Sequence, residues 1–138
     1  MATASQVAEY FIRRGVEVDD MIGGLKLQKL LYYAQGFHLA IEGEPLFKDR
    51  IKAWRHGPVV PGVWQKYRHV TPQPDYDLRL KFSKDQLELL DEVWNVYGCY
   101  SGWMLRNMTH EEPPWLETER DEEIKPKAMK AYFKTRVE

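Results

Sequence analysis

The stretch that decides the fold is KLQKLLYYAQGFHLAI, residues 26–41. Its apolar residues recur at the three- and four-residue spacing of a helix. They are Leu27, Leu30, Leu31, Ala34, Phe37 and Ile41. Gly43 and Pro45 follow the run, and these residue types are typical of a helix end. Tyr32 and Tyr33 flank the apolar stripe, so we expect at least one of the two rings to reach its edge.

Further helices are predicted on both sides of this one. They are expected at about 4–14, at about 61–68, from Ser83 to Gly98, from Ser101 through Met108, and from about 126 onward. Residues 3–6 and 83–86 match the capping box, in which a Ser or Thr side chain accepts from an amide of the first turn. Gly15 is expected to stop the first helix, and the prolines at 113–114 to break the chain.

Two short segments alternate polar and apolar residues, as strands do. They are RIKAWRH at 50–56 and DLRLKF at 77–82, and we expect them to pair with each other. A sheet of two strands needs helices behind it for stability. The expected fold is therefore mainly α: a compact domain of about six helices with a minor two-stranded β element, and a single domain over 1–138.

Composition narrows the functional class. The chain has 138 residues, of which 43% are apolar and 30% charged, as in an ordinary globular protein. Cys99 is the single cysteine, so no internal disulfide can form, and a reducing cytoplasmic location is expected. The sequence contains no apolar leader and no apolar run of membrane-spanning length, so no membrane partner is expected.

Charge is segregated along a nearly neutral chain. Residues 48–69 carry six basic side chains and one acidic, whereas residues 109–123 carry seven acidic and one basic. The end of the chain, 124–138, is basic again. Such stretches can dock on each other, steer a charged partner, or simply be solvated. The net charge of −1 argues against nucleic acid as the partner, since a dedicated nucleic-acid domain is usually basic overall.

The sequence offers few candidates for catalysis. The four histidines lie at 38, 56, 69 and 110, without the spacing of a zinc site. His38 and Glu42 are four residues apart, but two ligands rarely suffice for a metal. Phosphate-binding glycine loops and the serine nucleophile elbow are also missing, so we expect no metal and no cofactor. Acid–base chemistry by His56 or His110 remains an open alternative.

The stretch AWRHGPVVPGVWQKY, residues 53–67, is rich in both rings and prolines. Each proline forces an extended residue before it, so 56–62 is expected to be stiff and to continue neither a strand nor a helix. This stiffness holds four side chains in a fixed relation, namely Trp54, Arg55, His56 and Trp64. Buried, they would form a structural corner; exposed, they are the residue types that dominate binding hot spots.

Three segments together carry a family resemblance. KLQKLLYYAQGFHLA at 26–40, PLFKDRIKAWRHGPVVPGVWQKY at 45–67 and MTHEEPPW at 108–115 occur in the order and spacing of the Panacea antitoxin domain family. The chain resembles its SocA-like and GepA-like, phage-associated members over about residues 5–135. The resemblance implies an antitoxin of a bacterial or prophage toxin–antitoxin pair, with a mostly helical fold, that neutralises a cognate protein toxin by direct binding. The alternative that it implies is an adaptor that delivers the toxin to the ClpXP protease.

The resemblance also selects candidate site residues. The positions that match the family pattern are Lys26, Leu27, Lys29, Tyr32, Tyr33, Trp54, His56, Gly57, Pro58, Val59, Tyr67, Thr109, His110, Pro114 and Trp115. No catalytic role is implied for them, so the chain is not expected to be an enzyme. The partner-binding face is expected to consist of Lys29, Tyr33, Trp54, Arg55, His56, Tyr67, His110 and Trp115.

Overall fold

One long helix organises the structure, a computed structural model that describes residues 1–20, 22–67 and 78–137. This helix, α2 (Gly24–Glu42), has thirteen of its nineteen residues buried. It contacts most of the other elements, so it is covered around most of its circumference rather than along one stripe. Ile41 departs from the predicted stripe, because it is 54% exposed.

Six further α-helices occur in the described residues. They are α1 (Ala4–Glu17), α3 (Pro61–Tyr67), α4 (Lys84–Tyr97), α5 (Gly102–Thr109), α6 (Pro113–Leu116) and α7 (Pro126–Lys134). The mainly α fold class is confirmed, as are the capping boxes that begin α1 and α4. Two details were wrong. α1 continues past Gly15 to Glu17, and the prolines expected only to break the chain begin the short helix α6.

The small sheet forms where the sequence predicted a rigid break. Strand β1 (Lys52–Trp54) pairs antiparallel with β2 (Gly57–Val59), which lies inside the proline-rich stretch. Pro58 is tolerated because it lies opposite Ala53, whose N–H and C=O point away from β2. They pair instead with Glu122 O and Asp121 N–H, at 2.9 and 2.8 Å. The missing N–H of Pro58 therefore costs no bond of the ladder.

The acidic stretch docks on the basic one through its backbone. In addition to the bonds of Ala53, Ile124 N–H donates to Ile51 O at 2.7 Å, and Lys52 and Glu123 form an antiparallel bridge. Residues 121–124 thus lie along the edge of β1 that faces away from β2. The contact is made by backbone groups, and no salt bridge joins the two charged stretches within the described residues.

The predicted strand at 77–82 was wrong where the structure describes it. Residues Leu78–Lys81 form a turn of 3-10 helix, and Asp77 lies outside the described residues. Leu78 and Phe82 are buried, whereas Leu80 between them is 81% exposed. The buried residues are therefore four apart rather than two, which suits a helical turn packed on α1.

The irregular segment 44–60 is held to α2 by buried polar side chains. Gln28 Oε1 accepts from Val60 N–H, and Lys29 Nζ donates to Pro58 O. Further along the helix, Gln35 bonds to the backbone of Leu46 and Phe47. His38 Nδ1 contacts Glu44 O at 2.6 Å, which makes it a structural histidine. The segment therefore runs antiparallel to α2, and side chains rather than a sheet satisfy much of its backbone.

Close packing of α7 on α2 depends on Gly36. A Cβ at this position would lie 2.1 Å from Cε2 of Phe133, far inside van der Waals contact. Phe133 is itself 1% exposed and touches the rings of Tyr32 and Phe37. The absence of a side chain at 36 is thus what allows the Phe133 ring to reach the helix.

Replacing Gly36 by Ala should destabilise the protein. We expect Gly36→Ala to lower the free energy of unfolding by about 2 kcal/mol or more, because the added methyl group overpacks the Phe133 contact. Urea unfolding followed by circular dichroism measures this loss. Gly62→Ala is the matched control, since a Cβ there meets nothing within 4 Å, and it should be neutral or slightly stabilising. Equal stability of the two variants would contradict the packing argument.

Candidate functional site

The turn between β1 and β2 presents two exposed side chains, Arg55 and His56, with Trp54 half-exposed beside them. Gly57 makes this turn, and its φ of +113° lies in the region that glycine adopts most readily. A Cβ at Gly57 would also lie 2.6 Å from Lys29 Cε and 2.9 Å from Thr109 Oγ1. Gly57 therefore both shapes the turn and lets it lie directly on α2 and α5.

Helix α5 places a second aromatic group next to the turn. The Trp103 ring is 56% exposed and lies 6.0 Å from the His56 ring, measured between centroids. The Arg106 guanidinium lies 4.5 Å from the Trp103 ring centroid, within cation–π distance. We call Trp54, Arg55, His56, Trp103 and Arg106 the tryptophan–arginine surface. Within the described chain, neither of its two guanidinium groups forms a salt bridge.

The backbone of the turn is fixed from beneath by two ring side chains. His110 contacts Arg106 O through Nδ1 at 2.6 Å and Arg55 O through Nε2 at 2.8 Å. Both oxygens are acceptors, so the ring satisfies both contacts only when each nitrogen carries a proton. Trp115 Nε1–H donates to Trp54 O at 2.8 Å, and its ring lies 3.8 Å from the His110 ring.

Lys29 lies under the same turn with no exposed surface. Its ammonium group donates to Pro58 O at 3.1 Å, and no salt bridge joins it to a described carboxylate. Burial and then the nearby Arg106 charge lower the pKa of Lys29 to about 7. Desolvation, followed by the charges of Arg106 and Arg55, likewise lowers the pKa of His56. Arg55, Arg106 and Lys29 therefore place positive charge next to the turn.

The structure brings six of the eight predicted face residues together. Lys29, Trp54, Arg55, His56, His110 and Trp115 all lie at or beneath the β1–β2 turn. Of the six, only Arg55 and His56 are exposed, and Lys29 and Trp115 are buried. The buried pair can therefore support a binding surface but not form its outer layer.

The other two predicted face residues point elsewhere. Tyr67 is buried and donates to Glu9 of α1 at 2.9 Å. Tyr33 stacks on Tyr97 at 3.9 Å between ring centroids and donates to Glu112 Oε2. Tyr32 and Tyr33 flank the apolar stripe of α2 as predicted from the sequence, and both rings are buried.

The carboxylate of Glu112 satisfies the hydroxyl groups of both buried tyrosines. The hydroxyl groups of Tyr32 and Tyr33 donate to its two oxygens at 2.9 and 2.8 Å. Desolvation raises the pKa of Glu112, and the two hydrogen bonds oppose this rise. Burial, together with this carboxylate, in turn raises the pKa of both tyrosines. The cluster is thus a satisfied polar element of the core.

Several contributors to the site were missed from the sequence. Trp103, which is 56% exposed, and Arg106 were not among the predicted face residues. Arg120 was also missed, although its guanidinium lies 3.7 Å from the Trp115 ring centroid. A cation spaced three residues after a tryptophan on one helix, as in Trp103 and Arg106, is a signal that could have indicated this pair.

The described residues form a mainly α-helical fold around one buried helix, with a two-stranded hairpin held against it. They bring no three potential metal-ligating side chains together, and none of their helices is long and apolar enough to cross a membrane. The model of the SocA-like antitoxin family, Panacea domain, matches residues 27–116, so the chain belongs to this family.

A curated relative supports the same assignment. Antitoxin SocA of Caulobacter vibrioides (strain NA1000 / CB15N) is 36% identical over 84 residues, which cover 61% of this chain. The aligned part spans 44% of that protein, less than half of its length. No solved structure matches the chain. The family match contains the α2 contacts to 44–60 and the whole tryptophan–arginine surface.

The low pKa of Lys29 should make stability depend on pH. The folded pKa of about 7 lies below that of an unfolded lysine, near ~10.4. Between these values the unfolded chain binds more protons, so the free energy of unfolding rises with pH. From pH 7 to pH 9 the rise due to Lys29 should be about 2 kcal/mol.

Urea titrations at several pH values test this expectation. Lys29→Met should remove the rise, because methionine fills a similar volume and does not titrate. Lys134→Met is the control: Lys134 is exposed on α7, and its replacement should leave the wild-type slope unchanged. A Lys29→Met protein that keeps the full slope would show that another group is responsible.

Proposed function

We propose that this chain is an antitoxin that neutralises a cognate protein toxin by binding it directly. Membership of the SocA-like antitoxin family is the observation that carries the proposal. The relative named Antitoxin SocA supports it, although the aligned part is less than half of that protein. We extend the proposal to the whole chain as one domain, because α1 and α7, outside the family match, both pack on α2.

The tryptophan–arginine surface is our candidate for the toxin-binding face. Tryptophan and arginine are enriched among residues that dominate binding energy, and here both types are exposed together. The hydrogen bonds beneath the turn fix its backbone before any partner arrives. A fixed surface loses little conformational entropy on binding, which favours affinity.

We propose further that neutralisation requires no reaction by this chain. Of the two histidines considered as acid–base groups, His110 has both ring nitrogens engaged by backbone carbonyl oxygens. These contacts suit a residue that holds the backbone of the hairpin in place better than one that transfers a proton. The site of action in the proposal is the cytoplasm, in keeping with the single cysteine.

Co-expression with the product of the neighbouring gene tests the function. That product should arrest growth when it is expressed alone, and growth should recover when this chain is present. Purified antitoxin and toxin should form a stable complex, and the antitoxin should neutralise the toxin in the absence of ClpXP. A neighbour that is harmless, or toxic in spite of this chain, would overturn the antitoxin proposal. Neutralisation that occurs only when ClpXP is present would favour the adaptor alternative.

A matched pair of variants tests the proposed face. Trp103→Glu should weaken toxin binding at least about tenfold, because an exposed hot-spot ring is lost and a charge is introduced. Leu80→Glu places the same charge at another exposed apolar position, on the 3-10 turn, and should leave affinity unchanged. Calorimetry gives both affinities, and thermal melting checks that both variants fold. Equal toxin affinities of the two variants would show that the interface lies elsewhere on the protein.

A further inference from the structure

An open groove of about 310 Å³ lies beside the tryptophan–arginine surface. Its lining combines apolar walls with a few polar groups, as ligand sites generally do. The lining residues are Leu25, Gln28, Trp54, Arg55, His56, Val59, Trp64 and Asp121. α2, the hairpin, α3 and the 121–124 segment all contribute, so the groove is formed by four separate parts of the chain.

Gln28 has an unused hydrogen-bond donor at this groove. The side chain is 1% exposed, and its Oε1 accepts from Val60 N–H at 2.7 Å. This bond fixes the orientation of the amide, because only the oxygen can accept from an N–H. The Nε2 amino group is therefore the free end, and no described atom accepts from it. A buried donor without a partner is costly, and an acceptor oxygen on a ligand would remove that cost.

The charges at the groove favour an anionic acceptor. The Arg55 guanidinium is exposed and has neither a salt bridge nor a hydrogen bond within the described residues. The main charges that act on His56 are positive and come from Arg106, Arg55, Lys29 and His110. Asp121 is the one acid of the lining and would repel an anion. A carboxylate is therefore favoured at the Arg55 and His56 side of the groove.

We propose that this groove receives a segment of a protein partner in which an acidic side chain stands next to an apolar one. The carboxylate pairs with Arg55 and accepts from Gln28 Nε2, while the apolar side chain packs between the groove walls formed by Trp54 and Trp64. This inference rests on the proposed function only in taking the toxin as that partner. The binding chemistry itself follows from the lining residues.

Titration with a pair of short peptides tests the groove without any toxin. The probes are acetyl-Phe-Glu-amide and acetyl-Phe-Gln-amide, which differ in one charge and are otherwise nearly identical. The full chain is labelled with ¹⁵N, and NMR follows the indole N–H of Trp54 and Trp64 and the side-chain amide of Gln28. The glutamate peptide should shift all three signals saturably. The glutamine peptide should bind about fivefold more weakly, as expected for one partly exposed ion pair.

Three variants assign the charge effect to individual residues. Arg55→Met should abolish the preference for the glutamate peptide, and Asp121→Asn should strengthen it because a repulsive charge is lost. Asparagine suits the positive φ of +69° at position 121, so this variant should fold. Lys66→Met is the control, since Lys66 is an exposed cation of α3 that does not line the groove. It should behave as the wild type does.

The outcomes separate this inference from the antitoxin proposal. If neither peptide shifts the three signals up to its solubility limit, or if both bind equally well, the inference is overturned even when the chain neutralises its toxin. If the glutamate peptide binds as described and no toxin is neutralised, the groove chemistry stands and the antitoxin function fails. Saturable shifts confined to residues away from the groove would also overturn the inference.

Discussion

Hydrogen bonds from α2 to the segment 44–60 are the constraint on which the rest of the structure depends. That segment has only three residues of strand, β1, before its turn, so most of its backbone groups find no partner in a sheet. Gln28, Lys29, Gln35 and His38 supply those partners from the buried side of the helix. Because an unpaired buried polar group costs about 1–3 kcal/mol, each bond both satisfies the loop and fixes its register on the helix.

The same arrangement creates the properties of the candidate site. Lys29 must be buried to reach Pro58 O, and burial is what lowers its pKa. Gln28 must turn its oxygen toward Val60, which leaves its amino group unpaired beside the groove. Both features are consequences of using polar side chains as supports for the hairpin. The unusual chemistry near the turn therefore originates in the fold, and binding can exploit it afterwards.

The sequence predicted the helices well because their signals are local. Capping boxes, apolar spacing and terminal glycines or prolines determine where α1, α2 and α4 begin or end. The strand pairing failed because β2 lies inside the proline-rich stretch that was expected to continue neither a strand nor a helix. Pro58 is accommodated there because Ala53 pairs with residues 121–122, a contact distant in sequence that local signals do not predict. For the candidate site, the sequence indicated the β1–β2 turn. It could not separate exposed Arg55 from buried Lys29, since burial is set by the packing of α5 over α2.

The way in which the hairpin is held suits a scaffold that serves different partners. Side chains from the rest of the fold bind the backbone oxygens of the hairpin. Trp115 bonds to Trp54 O, His110 to Arg55 O, and Lys29 to Pro58 O. None of these bonds uses the side chain of the hairpin residue that accepts it. Substitutions at 54–56 can therefore change the exposed chemistry while the backbone geometry persists. Under the proposed function, specificity for a partner resides in the outward side chains, and the hydrogen bonds that hold the backbone of the turn do not depend on them.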